Sequence, residues 1–253
     1  MKVIAIMGSP HKGNGYNIVR KIESELKLIT DIEFQYIFLK DANIKMCKGC
    51  FACIAKGEES CPINDDREQI EQDLLQADGI ILNSPGYTWN VTGLMKNFMD
   101  RFAYSLHRPK FFQQSLMLVA NGGSGLNGTL QALSKTLGGS KIACELGITA
   151  TPWESTQSYV DKTEKNIRKC ARRFYKSMID KKDQSPKLGN LIWFHIFKKM
   201  ASISKETLPA DYHYYSNHDK YFYETKVNPV KSIIASIIAK IGVWSLAKRI
   251  HFR

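Results

Sequence analysis

Val3-Ile-Ala-Ile-Met7, then Gly8-Ser9-Pro10-His11-Lys12-Gly13-Asn14-Gly15, then an amphipathic run from Tyr16 to about Ile29 open the chain. A continuous apolar pentad, a polar glycine-rich turn and a helical period in that order predict a buried strand feeding a helix. The pattern recurs. Strand-like runs lie at Glu33–Phe38, Gly79–Leu82, Ser115–Ala120 and Lys141–Ile148, with helical segments at Arg67–Leu75, Thr92–Tyr104 and Asn127–Leu137. Strands alternating with helices imply an α/β fold with a parallel sheet covered on both faces.

Five such strands suit a flavodoxin-like doubly wound sheet of order 2-1-3-4-5, in which a ligand binds beyond the carboxyl ends of the strands at the switch point beside strand 1. The loops after strands 1, 3 and 4 are therefore the place to look. The first of them, directly ahead of a helix, combines N–H groups with the positive end of the helix dipole. Ser9 and Asn14 can donate to phosphate oxygens, Gly13 and Gly15 allow close backbone approach, and His11 and Lys12 add charge. The loop is neither Gly-x-Gly-x-x-Gly nor Gly-x4-Gly-Lys-Ser/Thr, which argues against a dinucleotide fingerprint and a Walker ATPase. In the second loop, Pro85-Gly86-Tyr87-Thr88-Trp89-Asn90, the aromatic residues suit either a platform for a ring system or ordinary packing. The third, Asn121-Gly122-Gly123-Ser124-Gly125, offers nearly bare backbone to a planar ligand.

Four cysteines fall within fifteen residues: Cys47, Cys50, Cys53 and, after a longer gap, Cys61 followed by Pro62. This is ligand spacing for an iron-sulfur cluster and resembles a ferredoxin run ending in Cys-Pro. A structural zinc would draw its thiolates as two separated pairs, and a metal-free thiol loop is the other reading. Cys144 and Cys170, alone in apolar stretches, read as core packing. Asp65 with Glu68 reads as a helix capping box rather than as a catalytic carboxylate.

The charge is uneven. Residues 1–160 carry 16 Lys and Arg against 16 Asp and Glu, and residues 161–253 carry 20 against 8, so the whole net charge of +12 lies in the last third. A helix over Val160–Ile179 with a solvated basic face accounts for part of it. No nucleic-acid-binding motif accompanies the charge, so nucleic acid is not expected as a partner. Beyond Asp180 the chain reads as a basic, mostly helical extension, with apolar segments at Leu188–Ile203 and Pro229–Ile250 and an aromatic one at Tyr212–Tyr223. The stripe Ile233, Ile234, Ile237, Ile238, Ile241 and Trp244, interleaved with lysines, suits an amphipathic helix on an anionic membrane or one docked on protein. Lys231, Lys240 and Lys248 interrupt the best candidate for a membrane span, and none is expected. The apolar run at Met1–Met7 is too short for a secretory leader, and clustered thiols point to the reducing cytosol.

The segments Gly8–Asn14, Cys47–Asp66 and Ser84–Tyr87 leading into Leu94-Met95-Lys96-Asn97-Phe98-Met99-Asp100-Arg101 together resemble the NADPH-dependent FMN reductase family, and the cysteines its iron-sulfur flavoprotein branch. The resemblance covers roughly residues 1–180. It implies a flavodoxin-like FMN domain over 1–180 with a cysteine-rich insertion at 47–61, and an extension at 181–253. It places the FMN phosphate on Ser9, His11, Asn14, Gly15 and Tyr16, and the ring against Pro85, Gly86, Tyr87, Thr88, Trp89 and Asn90 and against Asn121, Gly122, Gly123 and Gly125. It makes Cys47, Cys50, Cys53 and Cys61 ligands of a [4Fe-4S] cluster. The implied activity is that of an FMN-dependent oxidoreductase exchanging electrons among FMN, the cluster and a ferredoxin-like or NAD(P)H partner, assembled as a homodimer or tetramer. Hydride transfer to flavin needs no protein acid or base, so no catalytic residue is nominated. A cluster-free NAD(P)H-dependent flavin or quinone reductase, and a flavin-binding sensor or scaffold, are the alternatives. The family often has Arg at position 11 and Thr at position 15. The His and Gly found here predict weaker or pH-dependent phosphate binding.

Overall fold

The fold is that of a computed structural model, which describes residues 1–180 and 185–250. Residues 181–184, at the boundary read between domain and extension, and residues 251–253 lie outside the described residues. The chain divides into two compact units, Met1–Lys48 with Ile63–Leu106 and Lys110–Lys181, and Gly49–Pro62 with His107–Pro109 and Lys182–Arg253.

The first unit holds five strands, β1 (Lys2–Met7), β2 (Glu33–Phe38), β3 (Gly79–Pro85), β4 (Ser115–Gly122) and β5 (Lys141–Thr149), all parallel and in the order β2-β1-β3-β4-β5. The expected topology is the observed one. β3 and β4 read as unbroken apolar runs because both of their faces are covered, and nearly every residue in them is buried. On one face, α1 (Asn14–Lys27) sets Ile18, Val19, Ile22 and Leu26, and α7 (Gln157–Ile179) sets Ile167, Ala171, Phe174 and Met178, against Val3, Ala5, Met7, Ile81, Met117, Val119 and Leu146. The pleat turns Ile4, Ile6, Ile80, Leu82, Leu116 and Leu118 to the other face, where they are equally buried. The remaining helices of this unit are α3 (Arg67–Gln76), α4 (Gly93–Arg101), α5 (Tyr104–His107, whose last residue belongs to the second unit) and α6 (Leu126–Leu133).

Three local expectations are corrected. The single helix expected over 92–104 breaks after Arg101, where Phe102 leaves the helical region and its ring packs on Phe98 with centroids 4.6 Å apart. The helix expected to reach Leu137 stops at Leu133, because the Ser134 and Thr136 hydroxyls donate to the Gln131 and Leu133 carbonyls (2.7 and 2.8 Å) and compete with helix continuation. Cys144 and Cys170 are buried as expected but not solitary. α7 packs along β5 and brings their Cα atoms to 5.7 Å, and the two form a disulfide.

The second unit contains α2 (Ala52–Ala55), α8 (Leu188–Ile203), α9 (Pro209–Ser216) and α10 (Pro229–Ala247). Its core is aromatic, with Leu191, Phe194, Tyr215 and Tyr221 buried together and Phe197, Tyr214 and Phe222 packed around them. α10 is 19 residues long with a mean hydropathy of 1.6, so by length and composition it is sufficient to cross a membrane despite Lys231 and Lys240.

Candidate flavin site and cysteine segment

The loops after β1, β3 and β4 lie at one edge of the first unit's sheet and are joined by backbone and side-chain hydrogen bonds. The Gly8 N–H donates to the Asn83 carbonyl (2.8 Å), the Thr92 hydroxyl donates to the Gly8 carbonyl (2.5 Å), and the Gly86 N–H donates to the Asn121 carbonyl (2.8 Å). Thr92 also caps α4 through the Met95 N–H (3.2 Å). One threonine thus ties the β1 loop to the start of the helix that follows β3.

α1 begins at Asn14 with Gly13 at its N-cap and no side-chain cap, which leaves its first N–H groups to a ligand or to solvent. Ser9 is buried and its hydroxyl accepts from the His11 N–H (3.3 Å), folding the loop back on itself. His11 and Asn14 are exposed. Lys12 does not face the helix start alone: its ammonium lies 4.7 Å from the Phe38 ring centroid and 5.7 Å from that of Tyr16. Gly15 is buried, and a Cβ there would stand 2.5 Å from Asn83 Oδ1 and 2.8 Å from Asn121 Oδ1. A side chain at this position is therefore opposed by two asparagines lying under the first turn of α1.

Asn83 carries no signal in the sequence. Its amide nitrogen donates to the Val119 carbonyl (3.2 Å) and to Asn121 Oδ1 (3.3 Å), but its own Oδ1, fully buried, accepts from no group among the described residues. An unmatched acceptor at this depth calls for a donor from a ligand or water. The hydroxyls of a ribityl chain are such donors. Bare glycine, an uncapped helix start and an orphaned acceptor fit the phosphate and ribityl ends of FMN.

The turn after β3, expected to border the ring, is strained. Tyr87 and Asn90 are bridged (Asn90 N–H to the Tyr87 carbonyl, 3.0 Å), and the residues between them, Thr88 and Trp89, have φ of 51° and 59°. Left-handed backbone at two consecutive residues that bear side chains, one a tryptophan, is costly and concentrates at functional sites. The Trp89 indole lies on the β4 loop: a Cβ at Gly125 would meet Trp89 Cδ1 at 2.0 Å, and the Trp89 indole N–H donates to the Ser124 hydroxyl (3.4 Å). Trp89 thus packs on Gly125 while remaining 68% exposed. A separate cleft of about 310 Å3, lined by Asn17, Lys21, Thr149, Trp153 and Tyr159, shares Asn14 with this site.

Asp65 does not cap a helix in the way expected. Asp66 occupies the N-cap of α3, and the Asp65 carboxylate is clamped by the Arg101 guanidinium (Nη2 to Oδ1, 3.0 Å), with both side chains almost wholly buried. It also accepts the N–H groups of Lys45 (2.8 Å) and Arg67 (3.2 Å). Burial alone would raise its pKa, but Arg101 and the two N–H groups overcome that and hold the carboxyl below its ordinary range. Asn97, one turn before Arg101, accepts the Cys47 N–H (3.0 Å) and donates to the Ile44 and Lys45 carbonyls (3.3 Å each). Asn97 and Arg101 of the 94–101 motif thus hold the backbone leading to Cys47.

In the second unit, Arg108 plays the corresponding part. Its guanidinium is buried, donates to the carbonyls of Cys53 and Ile54 and reaches Glu58 (3.2 Å), while Asp211 of α9 neutralises it and also engages His107 (2.8 Å). Phe51 and Gly49, on either side of Cys50, are left-handed (φ of 60° and 63°). Cys47 belongs to the first unit and Cys50, Cys53 and Cys61 to the second. All four are thiols outside any disulfide, the donor chemistry a cluster requires. Among the described residues, however, no three Cys, His, Asp or Glu side chains stand close enough to hold a metal ion.

A five-stranded doubly wound parallel sheet of order β2-β1-β3-β4-β5 defines a flavodoxin-like fold. The model of the NADPH-dependent FMN reductase family matches residues 1–144, more than half of the chain, and the chain belongs to that family. An iron-sulfur flavoprotein of Archaeoglobus fulgidus is 43% identical over 101 residues, 40% of this chain and 48% of that protein. Another of Methanocaldococcus jannaschii is 29% identical over 198 residues, 72% of this chain and 99% of that protein. The chain spans about half the length of two Archaeoglobus relatives it matches. The crystal structure of an FMN-dependent NADH-azoreductase from Bacillus anthracis in complex with FMN superimposes with a TM-score of 0.51, 14% identity and coverage of 68% of this chain and 99% of that one, a likeness of fold.

Proposed function

We propose that the protein is an FMN-dependent oxidoreductase of the iron-sulfur flavoprotein type. The observation that carries this reading is the set of three joined loops at the β1/β3 switch point, with an uncapped helix start and the orphaned Asn83 Oδ1 beneath it. Ser9, His11, Asn14, Gly15 and Tyr16 would hold the phosphate through N–H groups and side chains. The strained turn Pro85–Asn90 and the backbone of Asn121, Gly122, Gly123 and Gly125 would border the ring. Bound FMN supplies hydride or single-electron chemistry, and the protein contributes position, electrostatics and exclusion of water. Cys47, Cys50, Cys53 and Cys61 are proposed as ligands of a [4Fe-4S] cluster. Their spacing, their thiol state and the names of the relatives support this. The electron donor is proposed to be NAD(P)H or a ferredoxin-like carrier.

A second reading, a cluster-free NAD(P)H-dependent flavin or quinone reductase, is favoured by the absence of any grouped set of three metal-binding side chains among the described residues. Anaerobic purification with flavin, iron and sulfide quantified on one sample separates the two. FMN with four irons and four sulfides per chain, the iron lost in Cys50→Ser while the flavin stays, is the expected result for a [4Fe-4S] site. FMN without iron, with turnover of NAD(P)H, selects the cluster-free reductase. Absence of flavin after reconstitution with FMN rejects both.

A further inference from the structure

α10 is turned inside out. Its small residues Ala235, Ala239 and Val243 recur every four positions, are buried, and form the face of the helix that packs within its own unit, where α8 is its neighbour. Its large apolar residues face outward: Ile233, Ile237, Ile241 and Trp244 are 61%, 52%, 60% and 62% exposed, and Ile234 and Ile238 are at least 40% exposed. A helix of a water-soluble protein does the reverse, because large aliphatic side chains gain most from burial. At 100° per residue these six residues fall in an arc about 140° wide, with Lys240 just beyond one edge and Lys231 just beyond the other. At the far end the Lys248 ammonium lies 3.5 Å from the Trp244 ring centroid. From Thr225 onward the sequence has six Lys and Arg and no Asp or Glu.

These features distinguish among three occupants. A membrane span would set Lys240 deep in hydrocarbon, and its neighbour α8, 16 residues long, is too short to cross beside it. A second copy, meeting this one about a two-fold axis, would bring two lysine-edged stripes of like charge together. An anionic bilayer surface uses every element: isoleucines and tryptophan at the acyl boundary, and lysines on both edges reaching the phosphates with their stems along the apolar arc. We propose that the outward face of α10 is a docking surface for an anionic lipid bilayer, lying in its interface.

The test is flotation of the full-length protein at low salt with vesicles of phosphatidylcholine alone and of phosphatidylcholine mixed with phosphatidylglycerol. The protein floats with the mixed vesicles and not with the neutral ones, and high salt reduces binding. Ile237→Asp and Ile241→Asp, both at exposed positions, leave circular dichroism unchanged and keep the protein out of the floating fraction. Lys231→Gln with Lys240→Gln lowers partitioning roughly tenfold to thirtyfold. Wild-type protein remaining soluble with anionic vesicles overturns the proposal, as does unimpaired flotation of Ile237→Asp. Extraction from vesicles only by detergent would make α10 a span instead. A concentration-dependent dimer dissolved by Ile237→Asp, with no lipid binding, would make the occupant a second copy.

Discussion

Asn97 and Arg101 stand one turn apart on α4, and between them they bind the backbone from Ile44 to Cys47 and the carboxylate of Asp65. The two points at which the cysteine segment leaves and re-enters the first unit are held by a single helix face. A loop carrying four thiols is thereby anchored through its backbone and one carboxylate.

Arg101→Ala removes one partner of a buried pair and strands the Asp65 carboxylate, so a loss of about 3–5 kcal/mol is expected in urea unfolding. Arg101→Lys, which lacks the two-nitrogen fork, recovers less than half of it. Equal stability of wild type and Arg101→Ala would remove Asp65–Arg101 as an anchor.

The same pair sets an acid limit. Because the folded Asp65 pKa is depressed, its contribution is complete above the unfolded value, near pH 4, and is lost as pH falls through the lower folded value. The stability of the first unit therefore declines on acidification through and below that range. Asp65→Asn is less stable at neutral pH, and its pH curve is flatter. Parallel curves for the two proteins would contradict this.

Gly15→Thr drives a side chain into Asn83 and Asn121. An overpacking cost of about 1–3 kcal/mol is expected, with weaker FMN binding by fluorescence titration. Adding Asn83→Ala removes the nearer obstacle, so the double variant is more stable than Gly15→Thr. Failure of this rescue would show that Asn83 does not set the glycine.

Thr88→Gly relieves a left-handed residue and is expected to raise unfolding stability by about 0.5–1 kcal/mol, the gain in the folded state being partly offset by the looser unfolded chain. The same change loosens the turn that presents Trp89, and FMN affinity falls. Gain in stability with unaltered affinity would make the strain incidental to the flavin.

Cofactor-free protein denatured without reductant is expected to alkylate at four of its six cysteines, Cys47, Cys50, Cys53 and Cys61, by mass spectrometry. Six modified sites would mean that Cys144 and Cys170 are thiols in solution.

The sheet was legible because its strands are uninterrupted apolar runs set off by glycine and asparagine, and because α1 and α7 keep a helical period on one face. The loops proposed to hold the flavin stood out for the same reason: a ligand that needs bare backbone leaves glycine in the sequence. Asn83 and Arg108 were not. Asn83 is one polar residue near the end of an apolar strand, and its meaning lies in an atom that no group among the described residues bonds. Arg108 lies 103 residues from Asp211, and no local pattern ties them. Cys144 and Cys170 each looked solitary because the match between β5 and α7 is a matter of packing. The stripe on α10 was visible as a stripe, but which way it faced depended on Ala235, Ala239 and Val243, residues too small to attract attention.

The distance along the chain between Arg108 and Asp211 also orders events in time. At ribosomal rates of about 5–20 residues per second, Arg108 emerges roughly 5–20 s before the carboxylate that neutralises it. Until then the cation beside the Cys53 and Ile54 carbonyls relies on Glu58 as its acidic partner, and α9 is still unmade. The cysteine loop is written early in the message and finished late, closed by a helix synthesised about a hundred residues after Arg108.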